Sequence, residues 1–257
     1  MRNILLFFTL KYQYNWEKVF NALKNKEQIS PDTLENISDK LETDFISLVD
    51  HNYPKHLKDI IRPPFVLFYK GNINLTKSKS KIFSLVLDST VDAYGKKNVF
   101  KLIDDLITNN KIILFRYNND FSIEVIKYII DQKGSFILLT DLSINNLKTN
   151  NTEIFKLIND YNNSVILSDN QINNKISDIY TKNDSISRTL VGLANAVIIC
   201  QNKEIISIQS VLDLCTEDDN KFYVFPERVN SKFKANNLAI KQNGVLVENL
   251  DDILNEL

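Results

Sequence analysis

Glycine is scarce in this chain: only five of the 257 residues are glycine, and no two of them lie close together. The dinucleotide-binding loop G-x-G-x-x-G and the phosphate-binding loop G-x-x-x-x-G-K-[ST] both need closely spaced glycines, because their backbone must approach the phosphates. The sequence therefore excludes both of these phosphate-binding loops.

Cysteine and histidine are rarer still, with two residues of each. Cys200 and Cys215 lack C-x-x-C spacing, and His51 and His56 are five residues apart rather than the four that place two ligands on one helix face. We therefore expect no metal site, no cofactor and no disulfide framework. A reducing cytosol suits such a chain, so the predicted location is cytoplasmic.

Long apolar runs and an excess of charge are also missing. The longest apolar run near the N-terminus, residues 4–10, has about half the length of a membrane span, so we expect a core helix and no membrane association. The net charge of -1 gives no global attraction to nucleic acid, although a local basic patch is compatible with it.

Apolar periodicity divides the chain into a helical N-terminal part and a longer α/β part. Trp16, Val19, Phe20 and Leu23 share one helix face, and Ser30-Pro31 is typical of a helix start. Further along, short apolar runs alternate with amphipathic patterns, which predicts a doubly wound, mostly parallel sheet. We expect a small helical domain over residues 1–50 and a larger α/β domain over residues 51–257. The predicted strands are 65–69, 82–87, 111–116, 135–140, 164–167, 196–200, 221–225 and 245–247, and the predicted helices of the α/β part are 55–60, 96–108, 122–131, 151–161, 186–194, 206–214 and 237–242.

Ligands of such sheets bind at the carboxyl ends of the strands. Ser89 follows one predicted strand, and Lys96 and Lys97 lie in the first turn of the next helix, where a bound anion would offset their repulsion from the helix dipole. Arg116 ends another strand beside Tyr117, a pairing that could hold a phosphate and stack a base. Exposed lysines and an ordinary loop explain the same residues without a ligand, and both interpretations stay open. Lys182 and Arg188 bracket the start of a further predicted helix, and Arg188 is one of only five arginines.

A long, ordered motif runs from Tyr53 to Asn72, with a Y-P-x-x-L start, a Pro-Pro pair and the ending V-L-F-Y-K-G-N. It resembles the entry to the Rossmann-like domain of the DprA/Smf DNA-processing family. Residues 188–199 resemble a second family motif that begins with an arginine, here Arg188. Residues 235–247 resemble a third, in which Asn237 matches a family asparagine, and residues 250–254 resemble the closing helix.

The resemblance implies a protein that binds single-stranded DNA through a basic pocket, delivers it to the RecA recombinase during recombination or DNA uptake, acts as a homodimer and catalyses no reaction. The DNA-binding residues would be Lys70, Ser89, Lys96, Lys97, Arg116, Lys182, Arg188 and Asn237.

Several pocket positions depart from the family pattern. Asp88-Ser89-Thr90 stands where the family has Gly-Ser-Arg, and Glu227 stands where a strand should end in Val-Pro-Gly. One alternative is therefore a diverged member that keeps the fold and a dimer or partner surface without binding DNA. Another is a small-molecule enzyme of related fold, although the sequence offers no glycine-rich loop for it.

Overall fold

The computed structural model describes residues 1–35, 37–38, 41–117, 120–170 and 179–257, without the side chains of residues 179–184. The backbone forms two compact units. Unit 1 comprises residues 1–77 and 140–189, and unit 2 comprises residues 78–139 and 190–257. The predicted domain division after residue 50 stays a prediction.

The elements alternate along the chain in the way the α/β interpretation requires. The helices are α1 (Arg2–Lys11), α2 (Trp16–Lys24), α3 (Pro31–Glu35), α4 (Lys55–Lys58), α5 (Ala93–Thr108), α6 (Asp120–Asp131), α7 (Ile144–Asn150), α8 (Thr152–Asn159), α9 (Ile179–Leu193), α10 (Gln209–Glu217), α11 (Ala235–Lys241) and α12 (Leu250–Leu254). The strands are β1 (Asp44–Ser47), β2 (Val66–Gly71), β3 (Ile82–Val86), β4 (Ile112–Arg116), β5 (Ser135–Leu139), β6 (Ser164–Ser168), β7 (Ala196–Ile199), β8 (Phe222–Val224) and β9 (Val245–Leu246).

Unit 2 is a parallel sheet with the strand order β5-β4-β3-β7-β8-β9. β3 comes first in the chain, and β4 and β7 pair on its two sides, so the winding reverses at this strand. In doubly wound sheets the ligand crevice opens at such a reversal, outside the carboxyl ends of the strands. The predicted fold class, a mixed α/β structure with a mostly parallel sheet and N-terminal helices, is confirmed.

Unit 1 carries the antiparallel strands, which the sequence analysis did not anticipate. β2 pairs antiparallel with β1, where Phe45 faces Phe68, and antiparallel with β6, where Lys70 faces Ile166. A continuous apolar run such as β2 indicates burial on both faces and does not specify strand direction. β1 escaped prediction because it is only four residues long, and its two apolar residues, Phe45 and Ile46, are too few to form a recognisable periodic pattern.

The N-terminal helices pack against each other and the rest of unit 1 through a small aromatic core. Phe8 of α1 and Val19 of α2 are buried there, which confirms the predicted core helix over residues 4–10. Trp16 stacks between Phe20 and Phe65 at ring distances of 5.0 and 5.2 Å. Among the described residues, no helix has both the length and the apolar character needed to cross a membrane.

Candidate functional site

The turn after β3 is held together by the carboxylate of Asp88. Its Oδ2 accepts a hydrogen bond from the Lys203 N–H at 2.7 Å, and its Oδ1 accepts from the Ser89 hydroxyl at 3.0 Å and the Thr90 N–H at 3.2 Å. Backbone and hydroxyl donors at such a turn are the groups that would hold a phosphate. Ser89 is exposed at the predicted strand end, but its hydroxyl is already engaged by an acid of the same chain.

The N-terminus of α5 is capped in the same manner. Asp92 Oδ1 accepts a hydrogen bond from the Gly95 N–H at 2.9 Å, and this bond holds the pKa of Asp92 below its ordinary value. The side chain of Gln201 exchanges two hydrogen bonds with Asp92, at 2.8 and 3.0 Å. A Cβ on Gly95 would lie 2.3 Å from Gln201 Oε1, so only glycine permits this approach. The anion position favoured by the helix dipole is therefore filled by an internal carboxylate.

Glu227 places a third carboxylate at the same strand ends. It is 8% exposed, and its Oε1 accepts a hydrogen bond from Gln201 Nε2 at 2.7 Å. Its Oε2 is buried without a hydrogen-bond partner among the described residues, beside a cavity of about 10 Å³, roughly the room one water molecule needs. We call Asp88, Asp92, Gln201 and Glu227 the strand-end cluster.

Asn237 supports this cluster from α11. Its Oδ1 accepts a hydrogen bond from the Glu227 N–H at 2.9 Å, and its Nδ2 donates to the Glu227 carbonyl at 2.8 Å. The predicted DNA contact is thus a residue that fixes the loop after β8. Asn236 acts similarly, since it accepts from the Asn202 N–H at 2.9 Å and donates to the Phe225 carbonyl at 2.8 Å.

Several cations lie beside the strand-end cluster, most of them in the loop after β8. The guanidinium of Arg228 lies 4.4 Å from the ring centre of Tyr94, and the Tyr94 hydroxyl donates to the Pro226 carbonyl at 3.2 Å. Lys234 belongs to the same loop, and its N–H donates to the Lys203 carbonyl at 3.1 Å. We call the exposed cations here, Lys203, Arg228, Lys232 and Lys234, the cationic rim. An arginine over an aromatic ring can contact a phosphate while the ring faces a base.

The other predicted residues of unit 2 have separate surroundings. Lys96 forms an ion pair with Glu124 at 2.6 Å and lies 5.7 Å from the Phe121 ring centre. Lys97 is exposed and forms no ion pair with a described residue. Arg116 is half-buried at the end of β4, where its carbonyl accepts from the Ser122 hydroxyl at 3.4 Å.

In unit 1, Arg188 is half-buried on α9 and its charge favours the ionised form of Asp169. Burial nevertheless raises the pKa of Asp169 above its ordinary value, although the Ser185 hydroxyl donates to that carboxylate. Arg188 therefore offsets an internal negative charge in addition to any contact with a ligand. Lys70 is half-buried in β2, and the side chain of Lys182 lies outside the described residues.

The model of the DNA recombination-mediator protein A family matches residues 44–257, which is most of the chain. The chain belongs to this family. The match begins at β1 and covers all of unit 2 and the part of unit 1 from residue 44 onward, so the resemblance to the DprA/Smf family is confirmed.

Two solved structures of DNA processing protein A share the fold of this family member. The X-ray structure of the Streptococcus pneumoniae protein is 19% identical with a TM-score of 0.76, covering 99% of this chain and 93% of that one. The Helicobacter pylori protein, whose structure describes a single-stranded DNA binding mode, is 20% identical with a TM-score of 0.67, covering 84% of this chain and 96% of that one. No curated protein matches by sequence.

The DNA recombination-mediator protein A family thus supplies the functional context for the strand-end cluster. Sequence analysis missed Tyr94 and Arg228 because they are 134 residues apart and follow different strands. One signal was available: Arg228 is a rare arginine directly after the replaced family glycine. No group of three or more potential metal ligands occurs in the part of the chain that the structure describes.

Proposed function

We propose that this DNA recombination mediator binds single-stranded DNA at the strand-end cluster and cationic rim of unit 2. It acts in the cytoplasm without catalysing a reaction, and it delivers the strand to RecA as a homodimer. The observation that carries the proposal is Arg228 stacked on Tyr94 at the reversal of the parallel sheet in a member of this family. The single-stranded DNA binding described for the Helicobacter pylori protein supports the choice of ligand.

The internal carboxylates determine how strong this binding is. Asp88, Asp92 and Glu227 each occupy donors that a phosphate would otherwise use, and each repels the backbone of a strand. We expect affinity to come from the cationic rim and to be strongly salt-dependent, since each single-strand phosphate neutralised contributes about 0.7 to the slope of log affinity against log salt.

The test is a fluorescence anisotropy titration with oligo-dT at low salt. Arg228→Ala should weaken binding about tenfold, because it removes one phosphate contact and one side of the stacking platform. Lys241→Ala is the matched control, since Lys241 is exposed at the opposite end of α11 from Asn236 and Asn237. Equal affinity of the two variants, or no micromolar binding by the unchanged protein, would contradict the proposal.

The second candidate function is a partner-binding role without DNA binding. It is favoured by the same three carboxylates, which accept hydrogen bonds from donors at the strand ends without a ligand. Exposed apolar side chains in unit 2 suit a homodimer or RecA contact: Ile206 is 79% exposed and Leu238 39% exposed, and α11 packs on the turn Ile205–Ser207 that holds Ile206.

Light scattering and capture by immobilised RecA separate the two candidates. A dimer that captures RecA but binds no oligo-dT supports the partner-binding role. Ile206→Glu should abolish dimerisation or capture if this apolar surface is used. A monomer that captures no RecA and still binds DNA would exclude the partner-binding role.

A further inference from the structure

An open groove in unit 1 is lined by three lysines. It has a volume of about 500 Å³ and includes Lys70 of β2, Lys148 of α7, and Phe155 and Lys156 of α8. None of these three lysines forms an ion pair with a described residue. We call this feature the lysine groove.

The position of Lys70 is the least explicable without a ligand. It is half-buried in the middle strand of an antiparallel trio, opposite Ile166. A lysine there must extend its ammonium toward solvent or toward an anion, because an unpaired charge is costly to bury. The lysine groove is open, so the Lys70 ammonium can reach solvent or an anion there.

The remaining walls combine positive charge with an aromatic surface. The Lys148 ammonium lies 5.8 Å from the ring centre of Phe155, which is half-buried beside exposed Lys156. The acid of the groove, Glu42, accepts a hydrogen bond from Asn145 Nδ2 at 3.0 Å. The lining is therefore net positive in a chain whose total charge is -1. Cations beside an aromatic face are the combination that binds single strands, by phosphate contact and base stacking.

We propose that the lysine groove is a second binding site for single-stranded DNA, with phosphates on Lys70, Lys148 and Lys156 and a base on Phe155. This inference rests on the proposed function, in that the ligand is the same strand. It adds a site in unit 1 to the one in unit 2.

The first measurement is oligo-dT affinity against salt for Lys148→Glu/Lys156→Glu. The expected result is about a tenfold loss of affinity and a slope reduced by about 1.4, corresponding to two lost phosphate contacts. The matched control is Lys18→Glu/Lys24→Glu, which reverses two exposed charges on α2 of the same unit. Lys148→Arg/Lys156→Arg should restore both quantities, and thermal melting verifies the fold of every variant.

The second measurement is photocrosslinking of oligo-dT that contains 4-thiothymine, followed by mass spectrometry of the peptide that holds Phe155. A crosslink to this peptide in the unchanged protein and in Arg228→Ala, and its loss in Phe155→Ala, support the groove. Inorganic tripolyphosphate serves as a competitor that can bind the lysines but has no base to stack on Phe155. It therefore distinguishes binding of a free polyanion from binding of a DNA strand.

The outcomes separate the two proposals. If Arg228→Ala weakens binding while Lys148→Glu/Lys156→Glu matches its α2 control and Phe155 gives no crosslink, the lysine groove is refuted and the proposed function stands. If the crosslink persists while Arg228→Ala has no effect, the groove stands and the unit 2 site is refuted. No DNA binding by the unchanged protein would overturn both.

Discussion

Replacing Asp88 with asparagine tests whether the chain's own carboxylates limit DNA binding. A phosphate at the turn after β3 would lie about 5 Å from this carboxylate, and at an effective dielectric constant of about 60 their repulsion is about 1 kcal/mol. Asp88→Asn should therefore raise oligo-dT affinity about fivefold at low salt. Screening at physiological ionic strength roughly halves the repulsion, so the gain there should be about twofold to threefold.

The same substitution should lower stability. Asp88 accepts hydrogen bonds on both oxygens, from Lys203, Ser89 and Thr90, and asparagine retains only one acceptor oxygen. We expect a loss of about 1–2 kcal/mol in the free energy of unfolding, because a bond to a charged acceptor is replaced by two facing donors. Gain of affinity with loss of stability is a signature that a general loosening of the fold would not produce.

The assays are anisotropy with oligo-dT and urea unfolding followed by circular dichroism. The control is Asp131→Asn, an isosteric change at an exposed acid that ends α6, whereas Asp88 follows the central strand β3. An affinity of Asp88→Asn at or below that of the control would refute the reasoning.

Three further predictions concern stability. Asp92→Ala should cost about 1 kcal/mol at neutral pH through the lost cap, whereas Asp92→Asn should cost little, because a neutral amide oxygen still accepts the Gly95 N–H. Because the pKa of Asp92 is lowered on folding, the charge-dependent part of its stabilisation should be lost as the pH falls below about 4 through the folded pKa, so the deficit of the alanine variant should shrink; a deficit that does not change with pH would contradict the charged cap. Burial raises the pKa of Asp169 on folding, so its ionised form opposes folding. Asp169→Asn should be more stable than the unchanged protein above the folded pKa, and this advantage should be lost as the pH falls from the folded pKa to the ordinary value of about 4; thermal melting across pH checks this. Gly71→Ala should lose roughly 2 kcal/mol in urea unfolding, since φ is 102° and the added Cβ would meet the Ser164 carbonyl oxygen at 2.5 Å; an unchanged midpoint would exclude the strain.

The parallel part of the fold was predictable because its signals are local. β3, β4 and β5 are apolar runs between amphipathic helices, and their predicted bounds differ by at most one residue at either end. α5 begins at Ala93 rather than at the predicted Lys96, because the cap at Asp92 adds a turn that apolar periodicity does not mark. Strand direction in unit 1 and the polar strand β1 depend on pairing, which local periodicity does not encode.

The site was less predictable because its chemistry lies in side-chain contacts between distant segments. The sequence indicated Ser89 by its position after a predicted strand and Asn237 by its match to a family asparagine, yet both hydrogen-bond to the chain itself. Lys96 likewise pairs with Glu124 across two helices. The stacking of Arg228 on Tyr94 exists only once β3 and β8 are placed in one sheet, so it required coordinates.

The two thiols can report the local opening of unit 2. Cys200 directly follows β7 and Cys215 lies on α10; both are free and buried, and burial raises the pKa of each to about 12. Thiol reagents react with the thiolate, so labelling must wait until unit 2 opens. Unit 1 contains no cysteine at all. The labelling rate of the unaltered protein therefore reads the local stability of unit 2 alone, and protection by a bound strand would appear in that rate without any engineered probe.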